Sequence, residues 1–207
     1  PNPTGSLMAQ GHNYFLSRNP YKLISYAAFG EAYYNLTDNL KITGGLRWTV
    51  DKKEAPRIPT WLLVSNSFGY PVAEVIEQEW REPTGRLAID WKPDFAFTDE
   101  TLLYAPYAHG SKAGGANPPN FVRSYYADVS LGNALIQQSA TRPKTFDAEF
   151  IDAFELGAKN TLLDGGLTLN LAAFYYDYKD YQISEIVEGS AFNRNFDAEV
   201  WGFEIES

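Results

Sequence analysis

Histidine and cysteine, the side chains most often used for acid–base and nucleophilic catalysis near neutral pH, are scarce in this sequence. Its 207 residues include two histidines, His12 and His109, and no cysteine. A hydrolytic triad needs a general base that a partner residue holds in place, and neither histidine lies in a recognisable motif. We therefore expect no enzymatic activity, no disulfide and no thiolate metal site. A position at a strand end is the simplest interpretation of His109, with contact to haem or a metal as the alternative.

One glycine-rich segment resembles a phosphate-binding loop only in part. Residues 110–115 read Gly-Ser-Lys-Ala-Gly-Gly, but they lack the Gly-Lys-Ser/Thr ending, and Pro118 and Pro119 prevent the helix that should follow. A nearby group of carboxylates could converge on Ca²⁺, but its spacing is not that of an EF-hand and solvated charge is the simplest interpretation: Asp147, Glu149, Asp152 and Glu155. The sequence thus predicts neither a cofactor site nor a metal site.

A period-2 pattern predicts the elements that hold these residues, and it is clearest from Leu40 to Val50. Every second residue there is apolar or small, and the residues between them are mostly polar. Such alternation is typical of a β-strand with one apolar face. Its length matches the roughly 9–11 tilted residues with which a strand crosses a membrane.

The same pattern predicts seven strands, joined by links that alternate between short and long. The strands cover about residues 25–36, 40–51, 82–92, 101–110, 153–163, 167–179 and 196 onward. Short links lie at 37–39, 93–100 and 164–166, and long links at 52–78, 111–148 and 180–194. Tight turns at one end and long loops at the other are typical of an outer-membrane barrel. We therefore predict an all-β, antiparallel transmembrane β-barrel segment with its short links on the periplasmic side.

Composition agrees with this fold class and excludes others. Aromatic residues make up 15% of the chain, which suits rings of Tyr and Trp at the two membrane interfaces. The net charge of -9 argues against a nucleic-acid partner, which needs a basic face. The sequence contains no run of about 18 apolar residues, so it predicts no transmembrane helix. Seven strands with open edges would leave backbone groups unpaired in hydrocarbon, so we expect the chain to be an arc of a larger barrel.

Four segments, in their order and spacing, resemble the barrel of TonB-dependent outer-membrane receptors. They are YAAFGEAYYNLTDNLKITGGLRWTVDKKE, LLYAPYAHGSKAGGANPP, FELGAKNTLLDGGLTLNLAAFYYDYKDYQ and VWGFEIES, and the resemblance covers about residues 25–207. It implies a 22-stranded barrel filled by an N-terminal plug domain. It also implies import of a ferric siderophore, haem, cobalamin or oligosaccharide, driven by the TonB complex.

The resemblance implies that residues 1–207 are a middle part of the barrel domain. The plug domain, the TonB box and the closing strands have no counterpart in this sequence, so contact with TonB would occur through an absent N-terminal region. Charged residues on the strand faces opposite the apolar ones are predicted to face the lumen, where they pair with the plug or with each other, or contact substrate: Arg47, Arg86, Glu155, Lys159 and Glu204.

The longest link, at about 111–148, is the predicted ligand-capture loop. Structureless length of this kind is usually retained for recognition. The link mixes aromatic rings with hydrogen-bonding groups, and its candidate ligand-binding residues are Asn117, Asn120, Phe121, Arg123, Tyr125 and Tyr126. Two alternatives stay open at this point. One is a passive outer-membrane porin, and the other is a soluble β-sandwich that binds carbohydrate.

Overall fold

A computed structural model gives the fold of the chain. It describes the backbone of residues 15–16, 20–57, 60–62, 74–118, 121–123, 143–187 and 190–207, and the side chains of 20–57, 74–118, 143–186 and 191–207. Seven long strands dominate: β1 (Lys22–Thr37), β2 (Leu40–Arg57), β3 (Glu74–Trp91), β4 (Glu100–Lys112), β5 (Glu149–Leu162), β6 (Leu167–Val187) and β7 (Ser190–Glu206). No helix in the described part of the chain is long and apolar enough to cross a membrane.

The seven strands form one antiparallel sheet in which each strand pairs with the next along the chain. The predicted all-β, antiparallel fold is therefore confirmed. Two-residue and three-residue strands add small pairings beyond it. Gly115–Ala116 pairs with Thr145–Phe146, and Thr60–Leu62 lies between Phe15–Leu16 and Phe121–Arg123.

Tight turns join the strands at one end of the sheet, as predicted. Thr37 pairs with Leu40, so only two residues connect β1 to β2. Between β5 and β6 the last ladder pair is Leu162 with Leu167, so four residues form the link. Leu163, Asp164 and Gly165 have positive φ angles of 59°, 53° and 81°, and the Gly166 amide donates to the Leu163 carbonyl at 3.0 Å. Aspartate and glycine adopt positive φ readily, which suits the two central positions of this turn.

At the other end the strands are longer than the sequence predicts. The expected link at 52–78 is partly strand, because β2 continues to Arg57 and β3 begins at Glu74. The expected link at 180–194 is strand as well, apart from residues 188–189, which lie outside the described residues. The period-2 pattern fails there because charged and apolar residues such as Val75 and Ile183 are mixed without a consistently apolar face, whereas the backbone ladder continues with ion pairs such as Lys52–Glu79 at 3.0 Å.

Two irregularities have local causes. The β4–β5 ladder lacks its rungs at Ala105 and Pro106, while its register stays unchanged on either side. Proline has no amide hydrogen to contribute to a ladder. On β6, the register shifts by one residue between Tyr178 and Tyr181, where Asp180 has a positive φ of 54°. This is the geometry of a β-bulge.

The sheet has an apolar face that no other part of the described chain covers. Large side chains on this face are highly exposed, including Leu46 at 77% and Phe203 at 75%. Tyr107, Phe154, Tyr175 and Trp201 stand side by side on β4 to β7. Among the described side chains, only Ala148 and Phe192 are buried hydrophobic residues. A single sheet without its own core does not have the two packed layers of a β-sandwich, so that alternative is wrong.

Candidate functional site

The face opposite the apolar one, here called the polar face, carries the candidate lumenal residues. Strand register places Arg47 on β2, Arg86 on β3, Glu155 and Lys159 on β5, and Glu204 on β7 on this one face. The period-2 assignment of the sequence therefore agrees with the register. What these side chains contact in a complete barrel stays a prediction.

Glu31 and Arg86 form an ion pair that reaches across the strand between them. Arg86 Nε donates to Glu31 Oε2 at 2.7 Å, and Arg86 Nη2 donates to Glu31 Oε1 at 2.8 Å. Both residues lie beside Gly45 of β2, where an added Cβ would meet Glu31 Oε2 at 3.1 Å. The Tyr33 hydroxyl also donates to Glu31. Glycine thus leaves the space through which a forked, charge-assisted pair closes.

Arg47 lies one rung further along β2 and has no carboxylate partner among the described residues. Its Nε donates to Thr49 Oγ1 at 3.0 Å, and its guanidinium carbon lies 5.6 Å from the centre of the Phe29 ring. These two contacts hold the Arg47 side chain along the sheet, because the Phe29 ring attracts the positive charge and the Thr49 hydroxyl accepts a hydrogen bond from one edge of the guanidinium group. The two terminal nitrogens have no acceptor within the described part of the chain.

A second group lies nearer the tight turns. Lys159 Nζ is 5.7 Å from the centre of the Tyr104 ring, which covers Gly157. A Cβ at Gly157 would come within 2.2 Å of Tyr104, so only glycine fits beneath the ring. Glu204 follows on the same face, since Gly157 pairs with Ala172 and Ala172 pairs with Glu204.

Arg47 and the Glu31–Arg86 pair line a recess of about 640 Å³ on the polar face of β1 to β4. Thr49, Asp51, Trp80, Glu82 and Thr84 also line it. Small-molecule sites are typically about 300–1,000 Å³ and combine aromatic walls with a few polar groups. The recess has that size and that mixture of groups.

Asn117, a candidate ligand-binding residue, occupies a structural position at the base of the long link. Its side chain is 2% exposed. The amide donates to the carbonyls of Pro143 and Asn193 at 3.0 and 2.9 Å, and its oxygen accepts from the Asn193 amide at 2.6 Å. Because these hydrogen bonds use both hydrogens of the Asn117 side-chain amide, the geometry favours a structural role, in which Asn117 joins the long link to β7, over direct contact with a ligand.

The other candidates of the long link are described less completely. Phe121 and Arg123 belong to the short strand beside Thr60–Leu62, and their side chains are outside the described residues. Asn120, Tyr125 and Tyr126 also lie outside them. Their role in ligand binding stays a prediction.

The two ends of the long link, residues 113–118 and 143–148, are here called the stem. The stem is held against the strands on either side of β4 and β5. Lys53 donates to the carbonyls of Ala113 and Gly114, and its Nζ lies 5.1 Å from the centre of the Trp80 ring. Burial lowers the pKa of Lys53. On the other side, Gln182 donates to the Asp147 carbonyl at 3.1 Å.

An ion-pair bridge adds to this attachment. Glu74 contacts Lys144 at 2.9 Å and Arg57 at 3.1 Å, and hydrogen bonds from these two residues lower its pKa. The stem is therefore fixed to β2 and β3 as well as to β6 and β7. The sequence predicted only a loop here, since no local pattern reports contacts between residues this far apart in the chain.

The acidic residues near the start of β5 do not converge. Asp152 lies on the same side of the sheet as the apolar face, where it accepts from the Tyr107 hydroxyl at 2.6 Å and lies 2.9 Å from His109 Nδ1. Hydrogen bonds from Tyr107 and His109 lower its pKa. Glu155 lies on the polar face. Glu149 accepts a hydrogen bond from the backbone amide of Gln182 at 2.8 Å. No group of three His, Asp or Glu residues among the described side chains could hold a metal ion.

His109 therefore has a local partner and an aromatic neighbour. Its ring stacks on Phe150 with centroids 6.1 Å apart. The position is just above the row of rings formed by Tyr107, Phe154 and their neighbours. This agrees with an ordinary place at a strand end, which was the simpler interpretation of the sequence.

Comparison with known proteins gives the family. A family model described as TonB dependent receptor-like, beta-barrel, matches residues 2–207. No curated protein sequence matches the chain significantly. Similar solved structures include the copper transporter OprC, with a TM-score of 0.62, 19% identity and 89% of this chain covered.

Two further solved structures are similar. The ferric yersiniabactin uptake receptor FyuA from Yersinia pestis has a TM-score of 0.58 and 20% identity, and the match covers 93% of this chain. The alcaligin outer membrane receptor FauA from Bordetella pertussis has a TM-score of 0.53 and 16% identity, and the match covers 90%. The chain spans 26%, 29% and 27% of the lengths of OprC, FyuA and FauA, respectively.

Proposed function

Because the chain belongs to the β-barrel family of TonB-dependent receptors, a family of outer-membrane transport receptors, we propose that it forms part of the wall of a receptor that imports a ferric siderophore or a similarly bulky nutrient. The observation that carries this proposal is the family match over residues 2–207, on a seven-stranded antiparallel sheet with one apolar and one polar face. The ferric yersiniabactin uptake receptor FyuA and the alcaligin outer membrane receptor FauA, which share the fold, support siderophores as the substrate class.

Lipid covers the apolar face in this proposal. The part of each strand that bears apolar side chains then spans the hydrocarbon, as at Leu40–Val50 of β2, Phe154–Leu162 of β5 and Leu167–Tyr175 of β6. Exposed Leu and Phe side chains are stable in such a position because transfer from water to hydrocarbon is favourable. The two edge strands, β1 and β7, pair with further strands of the barrel, since each unpaired backbone N–H or C=O group in lipid costs several kcal/mol.

The polar face lines the lumen, and the long link captures ligand at the mouth. The attachment of the stem by Lys53, Gln182 and the Glu74 bridge supports this division of roles, because it gives the outer part of the link a fixed base. Glu155, Lys159 and Glu204 face the plug, whereas Arg86 is paired with Glu31 within the wall. Energy for import reaches the plug from the TonB complex through a region that precedes the barrel.

The proposal is tested in cells that lack their own siderophore receptors. The full-length protein is expressed in matched strains with and without a functional TonB, and growth under iron restriction is measured with individual ferric siderophores. We expect at least one siderophore to restore growth only when TonB is present. Restoration without TonB would indicate a passive porin, and no restoration with any ferric siderophore or haem would refute import of this nutrient class.

Deleting Asn120 to Gln138 separates capture from assembly. We expect the deletion to weaken uptake while the folded yield in the outer membrane stays close to that of the wild type, because the strands below keep their ladders. Unchanged uptake and affinity would refute the role of the long link in ligand capture.

A further inference from the structure

The recess on the polar face contains one cation that no described residue neutralises. Arg86 is paired with Glu31, but Arg47 has only the Thr49 hydroxyl and the Phe29 ring. An arginine fork has five donors, and these two contacts leave its terminal nitrogens available. A guanidinium group that is already held by one hydrogen bond loses less conformational entropy when it forms two parallel hydrogen bonds to a planar oxyanion such as a carboxylate.

A second donor stands opposite this fork. Thr84 pairs with Arg47 in the ladder between β2 and β3, on the same face, and it also lines the recess. Its hydroxyl has no hydrogen-bond partner within the described part of the chain. The two side chains therefore place a guanidinium and a hydroxyl side by side, which is a suitable set of donors for a carboxylate.

The opposite end of the recess has the reverse charge. Asp51 and Glu82 line it and form no salt bridge with a described cation, while Lys53 lies over the Trp80 ring at this end and interacts with Asp51 at longer range. Arg47 and Asp51 are four residues apart on β2, which is about 13 Å along a strand. Trp80 lies on the wall at this end, as the ladder partner of Asp51. A ligand that fills the recess thus meets an oxyanion-binding end and an end that accepts hydrogen bonds.

We propose that this recess is a ligand subsite that binds a carboxylate group of the imported molecule at Arg47 and Thr84, with hydroxyl or ammonium donors of the same molecule directed to Asp51 and Glu82. The inference rests on the proposed import function and adds the chemical class that the wall recognises. A small ligand is favoured over a segment of the plug because the recess extends towards the stem of the long link, through Ser111 and Ala113, at the end of the sheet opposite the tight turns.

Binding to the purified full-length receptor tests the subsite. The probes are ferric citrate, which carries carboxylates, and ferrichrome, an uncharged ferric trihydroxamate. Affinity is measured for the wild type, Arg47→Gln and Arg81→Gln. Arg81 is a matched control, because it lies on β3 on the other side of the sheet and loses the same charge. We expect Arg47→Gln to weaken ferric citrate binding roughly 10- to 100-fold and Arg81→Gln to leave it unchanged.

Each other outcome overturns the inference. Equal weakening by both variants would indicate general electrostatic attraction, and no weakening by Arg47→Gln would mean that the fork does not contact the ligand. Lower thermal stability of Arg47→Gln with unchanged affinity would assign Arg47 to a partner within the protein, such as the plug. If the wild type binds ferrichrome alone or neither probe, the carboxylate class is wrong, whereas the growth test decides the import function separately.

Discussion

The two faces of the sheet should differ sharply in their tolerance of charge, and neighbouring positions on β6 provide the test. Leu171 is the middle residue of Leu167–Tyr175 and lies on the apolar face, where its side chain is 40% exposed. Asn170 precedes it, lies on the polar face, and donates to Glu206 at 3.3 Å. The proposed import receptor places Leu171 near the centre of the hydrocarbon and Asn170 in the lumen.

Replacing each residue with arginine should therefore have unequal effects. An arginine on the lipid face at the midplane of a barrel costs about 2–4 kcal/mol. Since each 1.4 kcal/mol is a factor of ten, Leu171→Arg should lower the folding equilibrium constant by roughly 30- to 1,000-fold. Asn170→Arg should cost much less, because the new guanidinium remains in a polar environment beside Glu206.

The measurement is the unfolding of the full-length receptor in lipid bilayers over a urea gradient, with the folded fraction followed by electrophoretic mobility. The same two variants are compared for folded yield in the outer membrane. Equal stability of both variants would refute the reasoning, since a one-residue error in register exchanges the faces of the whole strand. Greater damage from Asn170→Arg would mean that the polar face is the one in contact with lipid.

Three further predictions follow from single features of the sheet. Gly157→Val should lower the folded yield, because its Cβ would come within 2.2 Å of Tyr104, and the added change Tyr104→Ala should restore the yield; failure of this rescue would mean that the ring is not the obstacle. On intact cells, an impermeant thiol reagent should label Ile186→Cys, which is 77% exposed on the long-link side, and should not label Phe97→Cys in the turn between β3 and β4; the reverse pattern would invert the orientation. The pKa of Glu74 is lowered by Lys144 and Arg57, so its bridge to the stem is complete above the ordinary pKa of a glutamate and is lost as the pH falls through the lowered value. Protection factors for hydrogen exchange at 113–118, which correct for the slower intrinsic exchange in acid, should fall over that acidic range in the wild type and should be low throughout in Glu74→Gln; identical profiles would exclude the bridge as the cause.

Much of the sheet could be predicted from the sequence because alternation is a local property. The pattern at Leu40–Val50 and again at Leu167–Tyr175 reports which face each side chain occupies without reference to any other strand. Turn chemistry is equally local, and Asp164-Gly165 marks its hairpin through the φ angles that these residues accept. The face assignments of Arg47, Arg86, Glu155, Lys159 and Glu204 followed from the same alternation.

Only the tertiary structure decided which side chains meet. The strands continue to Arg57 and Val187 because backbone hydrogen bonds extend a ladder whether or not its faces alternate, so extensions without regular alternation look like loops in the sequence. The pairing of Glu31 with Arg86 across Gly45 depends on the register of three strands, and residue spacing alone does not report it. Asn117 looked like a loop residue open to ligand, yet contacts with a strand 76 positions away bury it. Local patterns determine strands and faces, whereas register and long-range contacts determine the recess and place Arg47 there without a carboxylate partner among the described residues.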